Sequence, residues 1–182
     1  MGALRLEDLP NYTYEDYERW EGRWELLYGV AYSMSPSPIR EHQDISTNIS
    51  IALHSSLKKC TTCKAHAALD WHVDDSTIVC PDNVVMCNDT KNSNFITITP
   101  SIIFEVLSPS TKKKDRTIKY ELYEKSGVSY YILVEPVGMF AEIYELKNNR
   151  YILVSEIKDG KYEFILKDCK FKLDFTEIFN IF

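Results

Sequence analysis

Two carboxylates interrupt apolar stretches of the chain in a way that suggests chemistry. Asp82 lies within residues 78–87 and Glu105 within residues 102–107, and both stretches are otherwise largely apolar. A buried carboxylate without a partner carries a large free-energy cost or stays protonated, so a compensating cation is needed. Hard oxygen donors from adjacent strands suit Mg²⁺ or Mn²⁺, which retain several waters. We therefore predict a divalent metal site at Asp82 and Glu105, with two buried ion pairs as the alternative.

A candidate cation for the same site follows on the next predicted helix. Asp115 and Lys119 are spaced i and i+4, which places them on one helical face, and Tyr123 follows after four more residues. The loop 108–114 is short enough to fold this helix back over the strand that carries Glu105. Lys119 is therefore expected to approach Glu105, and a salt bridge on the helix surface is the alternative.

A short basic strip lies in a chain that is acidic as a whole. The 182 residues contain 21 Lys and Arg against 27 Asp and Glu, a net charge of −6. This balance argues against a protein that grips polyanions through a general positive surface. Four cations nevertheless fall close together beside the predicted site, at Lys112, Lys113, Lys114 and Arg116. We expect this strip to hold the flanking phosphates of a nucleic acid without reading its bases.

The five cysteines bear on both redox state and metal binding. An odd number spread over a long chain is typical of reduced thiols and not of a disulfide framework. Cys60 and Cys63, together with His66, have the local spacing of zinc ligands, and Cys80 and Cys87 are further candidates. A structural zinc site usually shows a second close pair. Because Cys80 and Cys87 lie inside predicted strands, we interpret them as small apolar residues.

Three helices are predicted from apolar spacing and boundary residues. A short helix is expected over 12–20. Apolar residues recur every three or four positions over 38–59, which predicts a long helix with Ser37 as its N-cap and a proline at its first position. A third helix is expected over 115–125 and ends at Gly127.

The predicted strands alternate with turn residues, and two of them are apolar on both faces. Pro81 cannot donate a ladder hydrogen bond, so a bulge or a strand edge is expected near Asp82. The order of elements predicts a mixed α/β layer fold, with a small aromatic hairpin before the core and antiparallel strands after it. The strands are predicted at 24–28, 29–34, 65–73, 78–87, 102–107, 130–134, 140–146, 151–157 and 162–166.

Length and hydropathy indicate one domain outside the membrane. We divide it into an N-terminal helix and hairpin (1–36), a core (37–136) and an antiparallel extension (137–182). No apolar run approaches the roughly 18 to 20 residues of a membrane span. The start of the chain is acidic and aromatic, unlike a secretory signal peptide. We therefore expect a cytoplasmic protein.

A series of short motifs occurs in a fixed order over residues 14–136. They are Trp24-Glu25-Leu26-Leu27-Tyr28-Gly29, Ser35-Pro36-Ser37-Pro38 followed by His42, Pro81-Asp82, Phe104-Glu105-Val106-Leu107-Ser108-Pro109-Ser110-Thr111, then Asp115, Lys119, Tyr123 and Gly127-Val128-Ser129-Tyr130-Tyr131. As an ordered set, these motifs resemble the Uma-two family, which is restriction-endonuclease-like and belongs to the PD-(D/E)XK nuclease superfamily. The resemblance implies a mixed central sheet with flanking helices.

The resemblance also implies site residues. It assigns Asp82 and Glu105 as metal ligands and Glu25 as an acid that completes the metal site or orients water. His42 matches a family position as well, with a hydrogen-bonded core histidine as the alternative. The superfamily places a lysine where this chain has Leu107. The cation is then expected from the following helix, with Lys119 as the candidate and Lys112, Lys113 and Lys114 as alternatives.

The function implied is a metal-dependent endonuclease that hydrolyses the phosphodiester bonds of DNA with Mg²⁺ or Mn²⁺. The expected catalytic residues are Glu25, Asp82, Glu105 and Lys119, with His42, Asp115 and Tyr123 as further candidates. A homodimer is expected, since many nucleases dimerise to cut two strands. The alternative is a catalytically inactive nuclease-fold module that binds nucleic acid or has a structural role, because the superfamily lysine is missing and the chain is acidic.

Overall fold

The computed structural model describes residues 10–34, 39–91 and 93–180. Its helices are α1 (Tyr14–Tyr17), α2 (Arg40–Ser56) with a 3₁₀ turn after it (Leu57–Lys59), α3 (Lys112–Lys114), a π-helical turn (Asp115–Lys119), α4 (Tyr120–Lys125) and α5 (Phe175–Ile178). Its strands are β1 (Trp24–Leu27), β2 (Val30–Ser33), β3 (Cys63–Ala67), β4 (Trp71–Asp74), β5 (Thr77–Val79), β6 (Asn83–Cys87), β7 (Ile102–Val106), β8 (Tyr130–Glu135), β9 (Phe140–Lys147), β10 (Arg150–Ile157), β11 (Lys161–Leu166) and β12 (Cys169–Asp174).

A six-stranded sheet with the order β10-β9-β8-β7-β6-β3 forms the centre of the fold. β7 and β8 run parallel, and the other neighbours in this sheet are antiparallel. Both central strands are almost entirely buried, which requires a layer on each face. One apolar cluster joins the sheet to α2 and to the two-stranded β11-β12 sheet, and the other joins it to α4.

A second, four-stranded sheet with the order β2-β1-β5-β4 brings the N-terminal hairpin to the core. Leu26 of β1 pairs with Ile78 of β5, so β1 runs antiparallel beside the chain that leads to Asp82. Glu25 is buried in β1 next to this pair. Strand pairing in this sheet therefore places Glu25, an early residue of the sequence, close to the segment that contains Asp82.

Two predicted strands are each split in two. The stretch 65–73 becomes β3 and β4, which belong to different sheets, because the backbone turns at Ala68 with φ 49°. The stretch 78–87 becomes β5 and β6. Asp82 lies in the break between them and not inside a strand, so the irregularity expected from Pro81 is confirmed.

The helices follow the predicted positions, with changes at their ends. The helix predicted over 38–59 begins at Arg40 as the structure describes it, and its proposed N-cap, Ser37, lies outside the described residues. The helical segment predicted to start at Asp115 starts at Lys112 and contains the π-helical turn. β12 and α5 were not predicted. Among the helices of the described ranges, none is long and apolar enough to cross a bilayer.

The cysteines depart from the expectation of reduced thiols. The structure pairs Cys60 with Cys169 and Cys63 with Cys87 as disulfides, and it leaves Cys80 free and buried. Cys63 and Cys87 face each other because β3 and β6 are antiparallel neighbours. Cys169 begins β12, which has no counterpart in the predicted strands, so its proximity to Cys60 depends on tertiary packing.

Candidate active site

A cavity of about 670 Å³ lies where β1, β2, the start of α2 and the segment 108–119 meet. The four residues expected to be catalytic all line it, although they come from distant parts of the sequence: Glu25, Asp82, Glu105 and Lys119. His42 and Asp115 line it too. The fold thus collects most of the charged candidates at one concave place, which is where binding and catalysis usually occur.

Glu105 lies in the middle of β7 and is buried, with 4% of its surface exposed. Its Oε1 accepts hydrogen bonds from Lys119 Nζ at 2.8 Å and from the Tyr123 hydroxyl at 2.8 Å. Burial raises the pKa of Glu105, Lys119 opposes this, and the negative charges of Asp115 and Asp82 raise it further, to about 8. Without another cation, the carboxyl therefore keeps its proton near neutral pH.

Lys119 is the centre of a buried charge cluster. Its ammonium lies 2.6 Å from Glu25 Oε1, 2.8 Å from Glu105 Oε1 and 3.7 Å from Asp115 Oδ1. Burial by itself lowers the pKa of Lys119, but these carboxylates outweigh it and hold the pKa well above the usual range. The π-helical turn supports the arrangement because it buries Asp115 and Lys119 together. Such turns are common at functional sites.

Glu25 holds two lysines in place. Its Oε1 also accepts a hydrogen bond from the Cys80 backbone N–H at 3.1 Å, and its Oε2 pairs with Lys114. Burial raises the pKa of Glu25, but Lys119 and Lys114 outweigh it and the pKa falls below its usual value. Both carboxylate oxygens are thus occupied by protein donors. These contacts fit a residue that positions lysines better than the metal-binding or water-orienting role expected from the sequence.

Asp82 is partly open to the cavity, with 22% of its side chain exposed. Its Oδ2 accepts hydrogen bonds from the Val106 backbone N–H at 2.7 Å and from His42 Nε2 at 3.2 Å. Burial lowers the pKa of His42, but the hydrogen bond and the charge of Asp82 outweigh it, so the pKa is raised. His42 is thus a partner that fixes the Asp82 carboxylate at the cavity wall.

The charge balance of the cluster fits a divalent cation. Two ammonium groups, those of Lys114 and Lys119, face an excess of carboxylates. Asp115 Oδ1 is buried and lacks a hydrogen-bond partner among the described residues, and burial raises the pKa of this carboxyl although Lys119 opposes it. The carboxylates are Glu25, Asp82, Glu105 and Asp115, so they outnumber these two ammonium groups by two when all four ionise, and protonated His42 beside Asp82 offsets one of the two charges.

The donor set at the cavity suits an ion that keeps much of its water. Within the described ranges, no three carboxylate or imidazole ligand atoms lie within 4.8 Å of one another. Asp82 and Glu105 stay the predicted pair of protein ligands, and water would complete the coordination. Mg²⁺ is commonly bound in this way, through one or two carboxylates.

The basic strip is not the row of free cations that the sequence suggested. A helix directs successive side chains to different sides, so each finds a different acidic partner. Lys113 is exposed and lines the cavity. The other three are paired: Lys112 with Glu135 at 2.6 Å, Arg116 with Glu142 at 2.6 Å, and Lys114 with Glu25. The expected contact with flanking phosphates stays a prediction, and Lys113 is the exposed member of the strip at the cavity.

Lys119, the candidate for the missing lysine, comes from the helical segment and contacts Glu105, and its catalytic role stays a prediction. Leu107 is buried in an apolar cluster, and the ammonium of Lys119 reaches Glu105 instead. Two positioning contacts had no signal in the sequence, because they depend on pairing between distant strands. They are the bond from the Cys80 N–H to Glu25 and the placement of Lys114 over the Tyr32 ring, 5.3 Å from its centroid.

Comparison with a known structure supports the fold. A crystal structure from Anabaena variabilis ATCC 29413, titled as "a putative nuclease belonging to DUF820", superposes with a TM-score of 0.73 at 16% sequence identity. The match covers 93% of this chain and 98% of that chain. It shows the shared fold, and the restriction-endonuclease-like α/β architecture expected from the sequence is confirmed.

Sequence similarity supplies the family. A protein of Synechocystis sp. named "Uncharacterized protein slr1290" is 31% identical over 144 residues, which cover 74% of each chain. Residues 14–167 match the Uma2 family, which is described as "Putative restriction endonuclease". The match spans most of the chain and includes every residue of the charge cluster at the cavity. The chain therefore belongs to the Uma2 family.

Proposed function

We propose that this protein is a metal-dependent endonuclease that hydrolyses phosphodiester bonds of DNA. The observation that carries the proposal is the buried ammonium of Lys119, held between Glu105 and Glu25 in the same cavity as Asp82. A cavity where carboxylates outnumber the lysine ammonium groups attracts a divalent cation, and a fixed ammonium beside it provides positive charge for a phosphate. Membership of the Uma2 family supports the same reaction class.

Asp82 and Glu105 would hold one Mg²⁺ or Mn²⁺, which would polarise the phosphate and lower the pKa of a bound water. Lys119 contributes a fixed positive charge where negative charge develops on the phosphate oxygens during hydrolysis. Because its pKa is raised, Lys119 keeps this charge throughout the accessible pH range. The Tyr123 hydroxyl and Lys119 both bind Glu105 Oε1, which fixes the orientation of the carboxylate.

The remaining residues position these groups. Glu25 and Asp115 hold the Lys119 ammonium from two further sides, and His42 holds Asp82. The exposed Lys113 at the cavity wall would contact a phosphate next to the scissile one. Because these groups are already held in place, the free-energy cost of reorienting them during the reaction is small.

Plasmid cleavage tests the proposal. The purified protein should convert supercoiled DNA to nicked or linear forms with Mg²⁺ or Mn²⁺ and should stop when EDTA is added. Asp82→Asn should reduce the rate by about 100-fold or more, because it weakens a metal ligand. Asp70→Asn is the matched control, since Asp70 binds Tyr17 and does not line this cavity. Equal rates for Asp82→Asn and the wild type, or full activity in EDTA, would overturn the metal mechanism.

The inactive module is the second candidate, and Leu107 at the superfamily lysine position favours it. Titration calorimetry separates the two readings. An enzyme of the proposed type should bind Mn²⁺ with a heat signal that disappears in Asp82→Ala, whereas an inactive scaffold should show no such signal. Cleavage of RNA but not of DNA would reject DNA as the substrate. The expected homodimer stays a prediction that sedimentation can measure.

A further inference from the structure

Four cysteine sulfurs meet at one place, and none of these cysteines lines the charged cavity. The ligand atoms of Cys60, Cys63 and Cys169 lie within 4.8 Å of one another, and Cys63 is bonded to Cys87. The two disulfides are therefore neighbours in one sulfur cluster. It lies at β3, the edge strand of the central sheet, against the start of β12.

The chain geometry around Cys60 and Cys63 resembles that of a metal-binding turn. The 3₁₀ turn after α2 ends at Lys59, and β3 begins at Cys63, so the two cysteines flank a tight connection of two residues. They are not bonded to each other. Each sulfur instead meets a partner from another strand, Cys169 or Cys87. A two-residue spacing with two further cysteines from elsewhere is a common ligand pattern for structural zinc.

A hydroxyl group lies beside the two cysteines of this turn. The Thr62 hydroxyl lies 3.8 Å from Cys60 Sγ and 3.7 Å from Cys63 Sγ, where it can donate a hydrogen bond to either sulfur. Donors of this kind orient and stabilise metal-bound ligands.

We propose that in the reduced protein Cys60, Cys63, Cys87 and Cys169 bind one Zn²⁺ as a tetrahedral structural site. Cys63 and Cys87 belong to the central sheet, whereas Cys169 belongs to the two-stranded β11-β12 sheet. The ion would therefore fasten the C-terminal hairpin to the edge of the central sheet. This role is independent of the proposed nuclease reaction.

The proposed ligand set differs from the one considered from sequence alone. His66 lies on β3 three positions after Cys63, and because side chains alternate along a strand it points to the opposite face from Cys63. Cys80 lines the charged cavity and accepts a contact from Arg23. Cys169 takes their place because β12 brings it to the cluster.

Zinc content of the reduced protein tests the proposal. The full chain is purified with a phosphine reductant, incubated with Zn²⁺, dialysed, and analysed by elemental analysis and native mass spectrometry. We expect about one zinc per chain for the wild type and for Cys80→Ser, and about a tenth of this or less for Cys169→Ser. Cys80→Ser is the matched control, since it removes the free buried thiol outside the cluster.

A second measurement covers the case in which Cys169→Ser does not fold. Co²⁺ added to the reduced wild type should give the intense thiolate-to-cobalt absorption and the visible bands of tetrahedral coordination, and Zn²⁺ should displace them. Reduced wild-type protein that retains no zinc and shows no such cobalt spectrum would overturn the proposal. Equal zinc retention by a folded Cys169→Ser variant would also overturn it.

Discussion

Two buried glutamates, Glu105 in β7 and Glu124 in α4, are satisfied in different ways. Glu124, 9% exposed, accepts a hydrogen bond from the Tyr151 backbone N–H at 2.7 Å and pairs with the surface residue Arg150 at 3.0 Å. Glu105 instead lies in a cavity among other carboxylates, and burial together with their charges raises its pKa to about 8 although Lys119 opposes this. Burial of a carboxylate therefore does not mark a functional site by itself. An excess of negative charge at a cavity does.

The largest effect should come from removing the central cation. Lys119→Met leaves Glu105 buried without its ammonium partner and Glu25 with Lys114 alone, so the free energy of unfolding should fall by about 3 to 5 kcal/mol at neutral pH. Lys119 lowers the pKa of both carboxyls, so its removal raises both pKa values, and stability should recover as the pH falls and the carboxyls protonate. Urea unfolding across pH measures this.

The matched control for this prediction is Lys125→Met. Lys125 forms an ion pair with Glu121, and both side chains are mostly exposed, so its removal should leave stability nearly unchanged at every pH. Equal free energies of unfolding for Lys119→Met and Lys125→Met at neutral pH would show that the Lys119 ammonium does not stabilise the charge cluster.

The second largest effect should be a difference in activity between variants of Glu105 and Glu124. Glu105→Gln should lower the rate of Mg²⁺-dependent DNA cleavage by about 100-fold or more. Glutamine keeps the shape of the side chain but removes the negative charge of a proposed metal ligand. Glu124→Gln should stay within a few-fold of the wild type, because its contacts lie outside the cavity. Initial rates on supercoiled plasmid measure both variants. Similar losses in both would show that burial, and not the charge cluster, determines the effect.

Substitutions of Glu124 should lower stability more when they remove the oxygen that accepts the Tyr151 hydrogen bond than when they keep it. Glu124→Leu leaves the buried Tyr151 N–H without its hydrogen bond, which should cost about 1 to 3 kcal/mol. Glu124→Gln keeps an oxygen that can accept this bond, and Arg150 is 81% exposed, so the loss should be less than about 1 kcal/mol. Thermal unfolding monitored by circular dichroism tests the order of the two variants.

The smallest effect concerns pH and metal binding together. The pKa of Glu105 is about 8 in the fold and near 4.5 when unfolded, so its protonation stabilises the protein fully below 4.5 and this contribution is lost as the pH rises to 8. A cation that replaces the proton should bind more tightly at higher pH. The increase in melting temperature caused by Mn²⁺ should therefore be larger near pH 9 than near pH 6, by about 2 to 4 °C.

Asp82→Asn provides the control for this measurement, since it should abolish the Mn²⁺-dependent increase at both pH values. A wild-type increase that is equal at both pH values would contradict a metal ion that competes with the proton of Glu105.

The sequence by itself determined the features that depend on local order. Glu105 within an apolar strand, Asp115 and Lys119 one helical turn apart, and the ordered motifs are all visible in neighbouring residues. From them follow the mixed α/β fold, the helix that returns over β7, and the approach of Lys119 to Glu105, which lies 14 residues earlier in the chain. Periodicity and family resemblance suffice here because the partners are joined by one short connection.

Only the tertiary structure decided the contacts between distant segments. Glu25 meets the Cys80 N–H across 55 residues because β1 pairs with β5, and this places its carboxylate against Lys114 and Lys119. Cys169 meets Cys60 across 109 residues through a strand that no local pattern indicated. Hydrophobic periodicity shows which face of an element is buried, but it does not show which other element covers that face. The pairing of strands and the packing of layers therefore chose the counterions of the charge cluster and the members of the cysteine cluster.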